Sequence, residues 1–287
     1  MISYRLVPAL VLCLVPWLCT GSRAHAAATA WVGDQRAAVR LVTATDSVPT
    51  EPALDAGIEF RFGRGWHGYW RAPGDAGIAP QFDWTGSENI ARHDLSWPAP
   101  HRLVVEDLQN SIYEGSVVLP IKLFPKNIGA AIRIDVSVNY GICSEVCVPN
   151  QAHLSLLLPV GSGTESTEAN LIRSAQQAVP GSAEAAGIVI VGTRIAGAGS
   201  AQNLVVDLRS TGLPFVEPDL FVEGVGDGIP PAPSVAFEDG KRTARFTVKL
   251  TSQSSPGKTL IVTLTDSNRA AEFSVQASEP ASTDSLH

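Results

Sequence analysis

Cys143 and Cys147 are the residues whose type and spacing could do chemistry. Two thiols separated by three residues can close a disulfide, exchange one with another protein, or help to hold a soft metal ion. Closure requires the Cα atoms to approach to about 5.5–6 Å, so the chain between them must curl. So short a loop yields roughly 2 kcal/mol of chain-entropy stabilisation, against almost 5 for a loop of a hundred residues. A domain with a full core does not depend on that increment, which favours disulfide exchange over a structural staple. Metal binding ranks third. His153 is the nearest further ligand, the spacing matches no zinc pattern, a fourth ligand is not evident, and the single methionine, Met1, excludes a methionine-rich copper site. His67, His93 and His101 are scattered and read as surface or hydrogen-bonded strand residues. No metal and no cofactor is expected.

The residues around the pair point to the kind of exchange. Glu145 lies between the cysteines and no Lys or Arg is close in sequence, whereas reactive thiolates are favoured by positive neighbours or helix N-termini. A carboxylate raises a thiol pKa. Glu145 is thus a pKa modulator in this reading, and the pair is a poor spontaneous nucleophile that exchanges electrons inside complexes with partners.

The other two cysteines, Cys13 and Cys19, fall in a segment with a short charged start, an apolar run from Leu6 to Leu18 and the small residues Ala24-His25-Ala26-Ala27. That is the layout of a secretory signal peptide, expected to be cleaved after Ala26. A lipid anchor at Cys19 fits poorly, because Pro16-Trp17-Leu18 rather than small residues precede it. Export would place Cys143 and Cys147 in an oxidising compartment, where they form a disulfide by default. The rest of the chain has no run long and apolar enough to span a bilayer, so no membrane insertion of the mature chain is expected.

What remains is too long for one small domain and about right for two. Hydrophobic residues make up 45% and charged residues 17%, enough for each half to bury a core. The net charge of −7 and the lack of a basic stripe exclude a nucleic-acid partner. Gly224-Val-Gly226-Asp-Gly228 precedes no helix pattern and is a loop, not a nucleotide fingerprint.

Ile132 to Tyr140 alternates apolar and polar residues without a break, the signature of a half-buried strand, and Ala152 to Leu158 reads as another. The cysteines fall in the Gly, Pro and Asn punctuated stretch 141–151 between them. Further strands are expected at 36–45, 57–62, 67–71, 95–104 and 117–124. A short helix over 167–179 is expected in a linker, with strands at 188–195, 203–209, 219–223, 242–250, 259–266 and 271–276 beyond it. The profile is all-β: two immunoglobulin-like β-sandwich domains joined by a linker with a short helix. The boundaries read 1–26 signal peptide, 27–160 first domain, 161–186 linker, 187–278 second sandwich and 279–287 tail. The rings of Trp66, Tyr69, Trp70, Phe82 and Trp84 crowd around a Pro/Gly turn and read chiefly as core and corner packing. The functional alternative is that one or two of them shield the disulfide.

Several separated motifs occur in order: Gly68-Tyr-Trp-Arg-Ala-Pro-Gly-Asp-Ala-Gly77, Phe82-Asp-Trp-Thr-Gly-Ser87, Trp97-Pro-Ala-Pro-His101, Tyr113-Glu-Gly-Ser-Val-Val-Leu-Pro120 and Tyr140-Gly-Ile-Cys-Ser-Glu-Val-Cys-Val-Pro149. Over roughly residues 30–160 they resemble the N-terminal periplasmic domain of the DsbD/ScsB thiol:disulfide interchange family, also called a disulfide bond corrector domain. The second sandwich resembles the additional region of the longer ScsB-like members. The resemblance implies an immunoglobulin-like fold and a redox-active pair, Cys143 and Cys147. It also implies electron relay from a membrane thiol reductase to thioredoxin-like periplasmic proteins. By the same resemblance a cap loop should cover the pair; its counterpart is expected between Glu106 and Glu114, with Tyr113 as the shield. Better-known members space the cysteines more widely. The sequence has neither the multi-span domain nor the thioredoxin-like domain, so the membrane partner is expected to be a separate protein and this chain a component of an oxidoreductase. Two other readings stay open: a protein-binding module with a structural disulfide, and a copper-stress protein binding Cu(I) through the reduced cysteines.

Overall fold

The computed structural model describes residues 27–197, 201–225, 229–250, 258–267 and 269–276. The expected signal peptide and tail lie outside the described residues. The first half contains β1 (Val32–Gly33), β2 (Ala37–Thr43), β3 (Leu54–Phe62), β4 (His67–Gly74), β5 (Gln81–Asp83), β6 (Ile90–Leu95), β7 (His101–Val105), β8 (Leu108–Glu114), β9 (Ser116–Pro125), β10 (Ile132–Cys143) and β11 (Cys147–Leu158). One helix, α1 (Ala169–Gln177), follows. Then come β12 (Ile188–Ala196), β13 (Asn203–Ser210), β14 (Pro218–Glu223), β15 (Ser234–Glu238), β16 (Thr243–Lys249), β17 (Thr259–Asp266) and β18 (Arg269–Gln276).

The first sandwich packs the sheet β1-β2-β3-β9-β6 against β11-β10-β4-β8-β7, with β5 added beside β10. The second packs β12-β13-β16-β15 against β14-β17-β18. Both are immunoglobulin-like, and among the described residues no helix is long and apolar enough to cross a membrane. The helix buries Ala169, Ile172 and Ala175 against the first sandwich near β9.

Period-two alternation sets the first core. Ile132, Ile134, Val136, Val138, Tyr140 and Ile142 of β10 all point inward, facing Leu158, Leu156, Leu154 and Ala152 of β11 on the same side. Each fully buried aliphatic side chain contributes about 1.5–3 kcal/mol. The odd-numbered residues of both strands, Cys143 and Cys147 included, therefore belong to the outer face.

Three expectations need correction. The single strand over 95–104 is two, β6 and β7, because Pro98 and Pro100 carry no N–H to donate to a ladder. The expected covering loop over 106–114 is mostly β8, which lies between β4 and β7; buried Asn110 and Ser111 interrupt its apolar pattern. The loop over 141–151 shrinks to Ser144-Glu145-Val146, since β10 and β11 stay paired up to Cys143 opposite Cys147. Pro149 is tolerated opposite Gly141 because β11 is an edge strand.

The two sandwiches share an interface. Phe221 and Ile229 join the first core, and the Trp70 and Phe221 rings meet edge-on at 5.9 Å. Arg102, its side chain 7% exposed, crosses the boundary. It donates to Asp219 at 2.7 Å, to the Leu220 carbonyl at 2.7 Å and to the Pro230 carbonyl at 3.1 Å, and lies over the Phe221 ring. Arg71 of β4 pairs with Glu223 at 2.7 Å and with Glu272. Removing a buried charge partner strands the other, so Arg102→Ala should cost about 2–4 kcal/mol. Urea unfolding followed by fluorescence should then resolve two transitions where the wild type shows one.

Candidate redox site

Cys143 and Cys147 form a disulfide across the tip of the β10–β11 hairpin, with Cα atoms 4.1 Å apart. The two residues are direct cross-strand partners, so their side chains emerge on the same, outer, face. The two sulfurs are not equivalent. Cys143 is 6% exposed, whereas Cys147, on the edge strand, is exposed.

Tyr69, Ile112 and Cys143 form a small buried cluster on that outer face, with Leu103 packed against it. The Tyr69 hydroxyl is 3.3 Å from Cys147 Sγ. Burial pushes the Tyr69 phenol above its ordinary pKa, so it stays a neutral donor. The turn after β4 closes the other side: the Gly141 N–H donates to the Ile78 carbonyl at 3.3 Å. A Cβ at Gly141 would stand 2.6 Å from the Ile78 side chain, so the close approach requires glycine.

His67 lies in the same row. It is opposite Cys143 on one side and opposite Glu114 on the other, and is 8% exposed. Its ring meets that of Tyr69 edge-on at 5.4 Å. Burial lowers the imidazole pKa, and the nearby Glu114 carboxylate opposes that shift.

Of the site residues expected from sequence, the two cysteines come together and Glu145 stands exposed in the loop between them. Tyr113 does not cover the disulfide. Alternation along β8 sends Ile112 and Glu114 to the disulfide face and Tyr113 inward, where it is 5% exposed and donates to the Pro98 carbonyl at 2.6 Å. Burial holds its phenol pKa well above the ordinary value. Tyr69 is the ring that meets the disulfide, while Trp70 is core and Phe82, Trp84 and Trp97 pack together elsewhere. Tyr69 is one of the rings that the sequence offered as a shield, whereas His67 had no such reading; their i, i+2 spacing puts both on one face, and that is the signal that links them.

The other histidines among the described residues lie apart. His153 is six residues along β11 from Cys147, about 20 Å away at strand rise, and faces Asp135 at 3.5 Å. His93 stacks on Trp84 and His101 opens β7. Among the described residues no three His, Cys, Asp or Glu side chains converge as a metal site.

A β-sandwich pair with a disulfide at an edge hairpin, one sulfur buried and the other exposed, is a disulfide-bearing immunoglobulin-like module. Residues 38–159 match the family model described as thiol:disulfide interchange protein DsbD, N-terminal. Residues 178–280 match a domain of unknown function, DUF8393. Among solved structures, the N-terminal periplasmic domain of ScsB from Proteus mirabilis is similar in fold, with a TM-score of 0.71 and 20% identity. That similarity covers 88% of this chain and 99% of the other. A chimeric titin Z1Z2-Z1Z2 tandem also aligns, over 83% of this chain and 96% of its own, at 11% identity and a TM-score of 0.21, which carries no argument. No curated protein matches in sequence.

The lowered His67 pKa gives a stability signature. Between its folded and unfolded pKa values the unfolded chain binds more protons, so stability rises with pH. The stability this neutral imidazole contributes is whole above about 6.5 and is lost as pH falls below that, by up to about 1.4 kcal/mol per pH unit. Urea titrations between pH 7.5 and 5 should show this slope in the wild type and a flatter one in His67→Gln.

Proposed function

We propose that the protein is a periplasmic thiol-disulfide exchange module, exported through the segment 1–26. In this reading it relays electrons between a separate membrane thiol reductase and thioredoxin-like proteins, with Cys143 and Cys147 as the redox pair. The observation that carries it is the asymmetry of the disulfide: Cys147 is open to an incoming thiolate along the hairpin edge while Cys143 is buried beneath Tyr69 and Ile112. A staple gains nothing from presenting one sulfur to solvent.

The surroundings support partner-dependent rather than spontaneous exchange. Val146 at the hairpin tip is 68% exposed, and Ile78, Val105 and Leu108 are exposed as well. Register places Val105 and Leu108 on the same face of the sheet as the cysteine row. Val146 in the hairpin loop and Ile78 against Gly141 put exposed apolar surface next to the disulfide, which gives a partner protein something to bury. Glu145, exposed between the cysteines, disfavours a free thiolate in the reduced protein.

In an exchange cycle the partner's thiolate attacks Cys147 Sγ, the Cys143–Cys147 bond breaks and its electron pair leaves on Cys143 Sγ. Resolution is the reverse attack by Cys143, or attack by the partner's second thiol. A Cys143→Ser variant keeps the exposed sulfur and loses the resolving one. Incubated with a thioredoxin-like protein lacking its own resolving cysteine and a thiol-specific oxidant, it should accumulate a mixed disulfide visible on non-reducing gels. Cys147→Ser should trap at least about tenfold less, because its remaining sulfur is buried. Equal trapping by the two variants would contradict the assignment.

A further inference from the structure

We propose that His67, assisted by Glu114, is the acid-base partner of Cys143 in disulfide exchange at this site. The inference rests on the exchange reading above and names a group that reading does not use. Four side chains stand in one row across the sheet: Cys147 on β11, Cys143 on β10, His67 on β4 and Glu114 on β8, each the register partner of the next. Direct cross-strand partners hold their Cβ atoms about 4.5–5.5 Å apart and point to the same face. The His67 imidazole is thus placed beside the buried sulfur, on the side away from Cys147.

The ionisable groups that face His67 are few. Glu114 comes from β8, Tyr69 from its own strand and Cys143 from β10, with Cys147 one strand further on. Glu145 is exposed in the loop of the hairpin. Among the described residues, Glu114 is the charged group beside the ring in the oxidised protein; it is exposed and connects the buried imidazole to solvent protons.

The buried position of Cys143 creates the need for such a group. When a partner thiolate bonds to Cys147, the departing charge lands on Cys143 Sγ, away from water beneath Tyr69, Ile112 and Leu103. A buried thiolate without a counter-charge is costly. As that charge develops, His67 takes a proton from solvent on the Glu114 side and donates it to the sulfur. The balance is partner thiolate plus protein disulfide plus one proton, giving the mixed disulfide at Cys147 and a Cys143 thiol. In reverse, neutral His67 removes the Cys143 proton, the thiolate attacks the mixed disulfide at Cys147, and the partner leaves as its thiolate. The lowered imidazole pKa keeps His67 neutral, and able to accept, at neutral pH.

Reduction of the folded protein by dithiothreitol, followed by stopped flow between pH 4.5 and 9, tests this. Rates are divided by the concentration of dithiothreitol thiolate. In the wild type the corrected rate constant should climb as pH falls below about 6.5, and in His67→Gln it should stay flat, about tenfold or more below the wild type at pH 5. Glu114→Gln, at an exposed position, removes the charge that supports the imidazolium and should move the bend to lower pH. A folded His67→Gln with the wild-type profile, or a bend that stays in place in Glu114→Gln, overturns the proposal. If His67→Gln does not fold, the Glu114→Gln bend decides alone. A wild-type disulfide that dithiothreitol cannot reduce at any pH is a different result, since it removes the exchange reading itself.

Discussion

Register between β10 and β11 is the constraint on which the site depends. Six apolar residues of β10, from Ile132 to Ile142, point into the core at every second position. A slip by one residue would turn all of them to solvent. The same alternation sends Cys143 and Cys147 to the outer face and makes them direct partners. The core thereby fixes the disulfide's position without touching it, and the short loop of Ser144, Glu145 and Val146 has only to join two strands already in place. Edge position does the rest. Because β11 has no hydrogen-bonded strand on its far side among the described residues, Cys147 is reachable, while β4 and β8 cover Cys143.

Strand β4 couples this site to the second sandwich. Its first half supplies His67 and Tyr69 to the disulfide face. Just beyond, Trp70 meets Phe221 and Arg71 pairs with Glu223 and Glu272. Arg102, at the start of β7, anchors the neighbouring strand pair to Asp219. The strands that roof the buried sulfur are thus held from behind by the second sandwich. Bidentate arginine contacts to carboxylates fix geometry as well as contributing energy, so the second sandwich braces the first.

Much of this was legible in the sequence because alternation and punctuation are local signals. Most strands, the helix between the sandwiches and the cysteine pair follow from period two, from Pro180-Gly181 after the helix, and from the motif order around Cys143. What was not legible depends on which strand lies beside which. The pairing of β4 with β8 and β10 brings His67 to Cys143 across 76 positions of chain, and nothing in the composition near either residue announces it. Tyr113 failed as a shield for the same reason: its distance from the cysteines in sequence says nothing about parity, and parity sends it inward. Buried Asn110 and Ser111 hid β8 inside an apparent loop.

The central claim is that the disulfide is exchanged and not merely kept. Equilibration of the Cys143–Cys147 couple with a glutathione or dithiothreitol redox buffer, read by mass after alkylation, tests it most directly. The account predicts a reduction potential above about −300 mV, within reach of thioredoxin-like partners. A potential well below about −300 mV, where structural disulfides resist reduction, would contradict it.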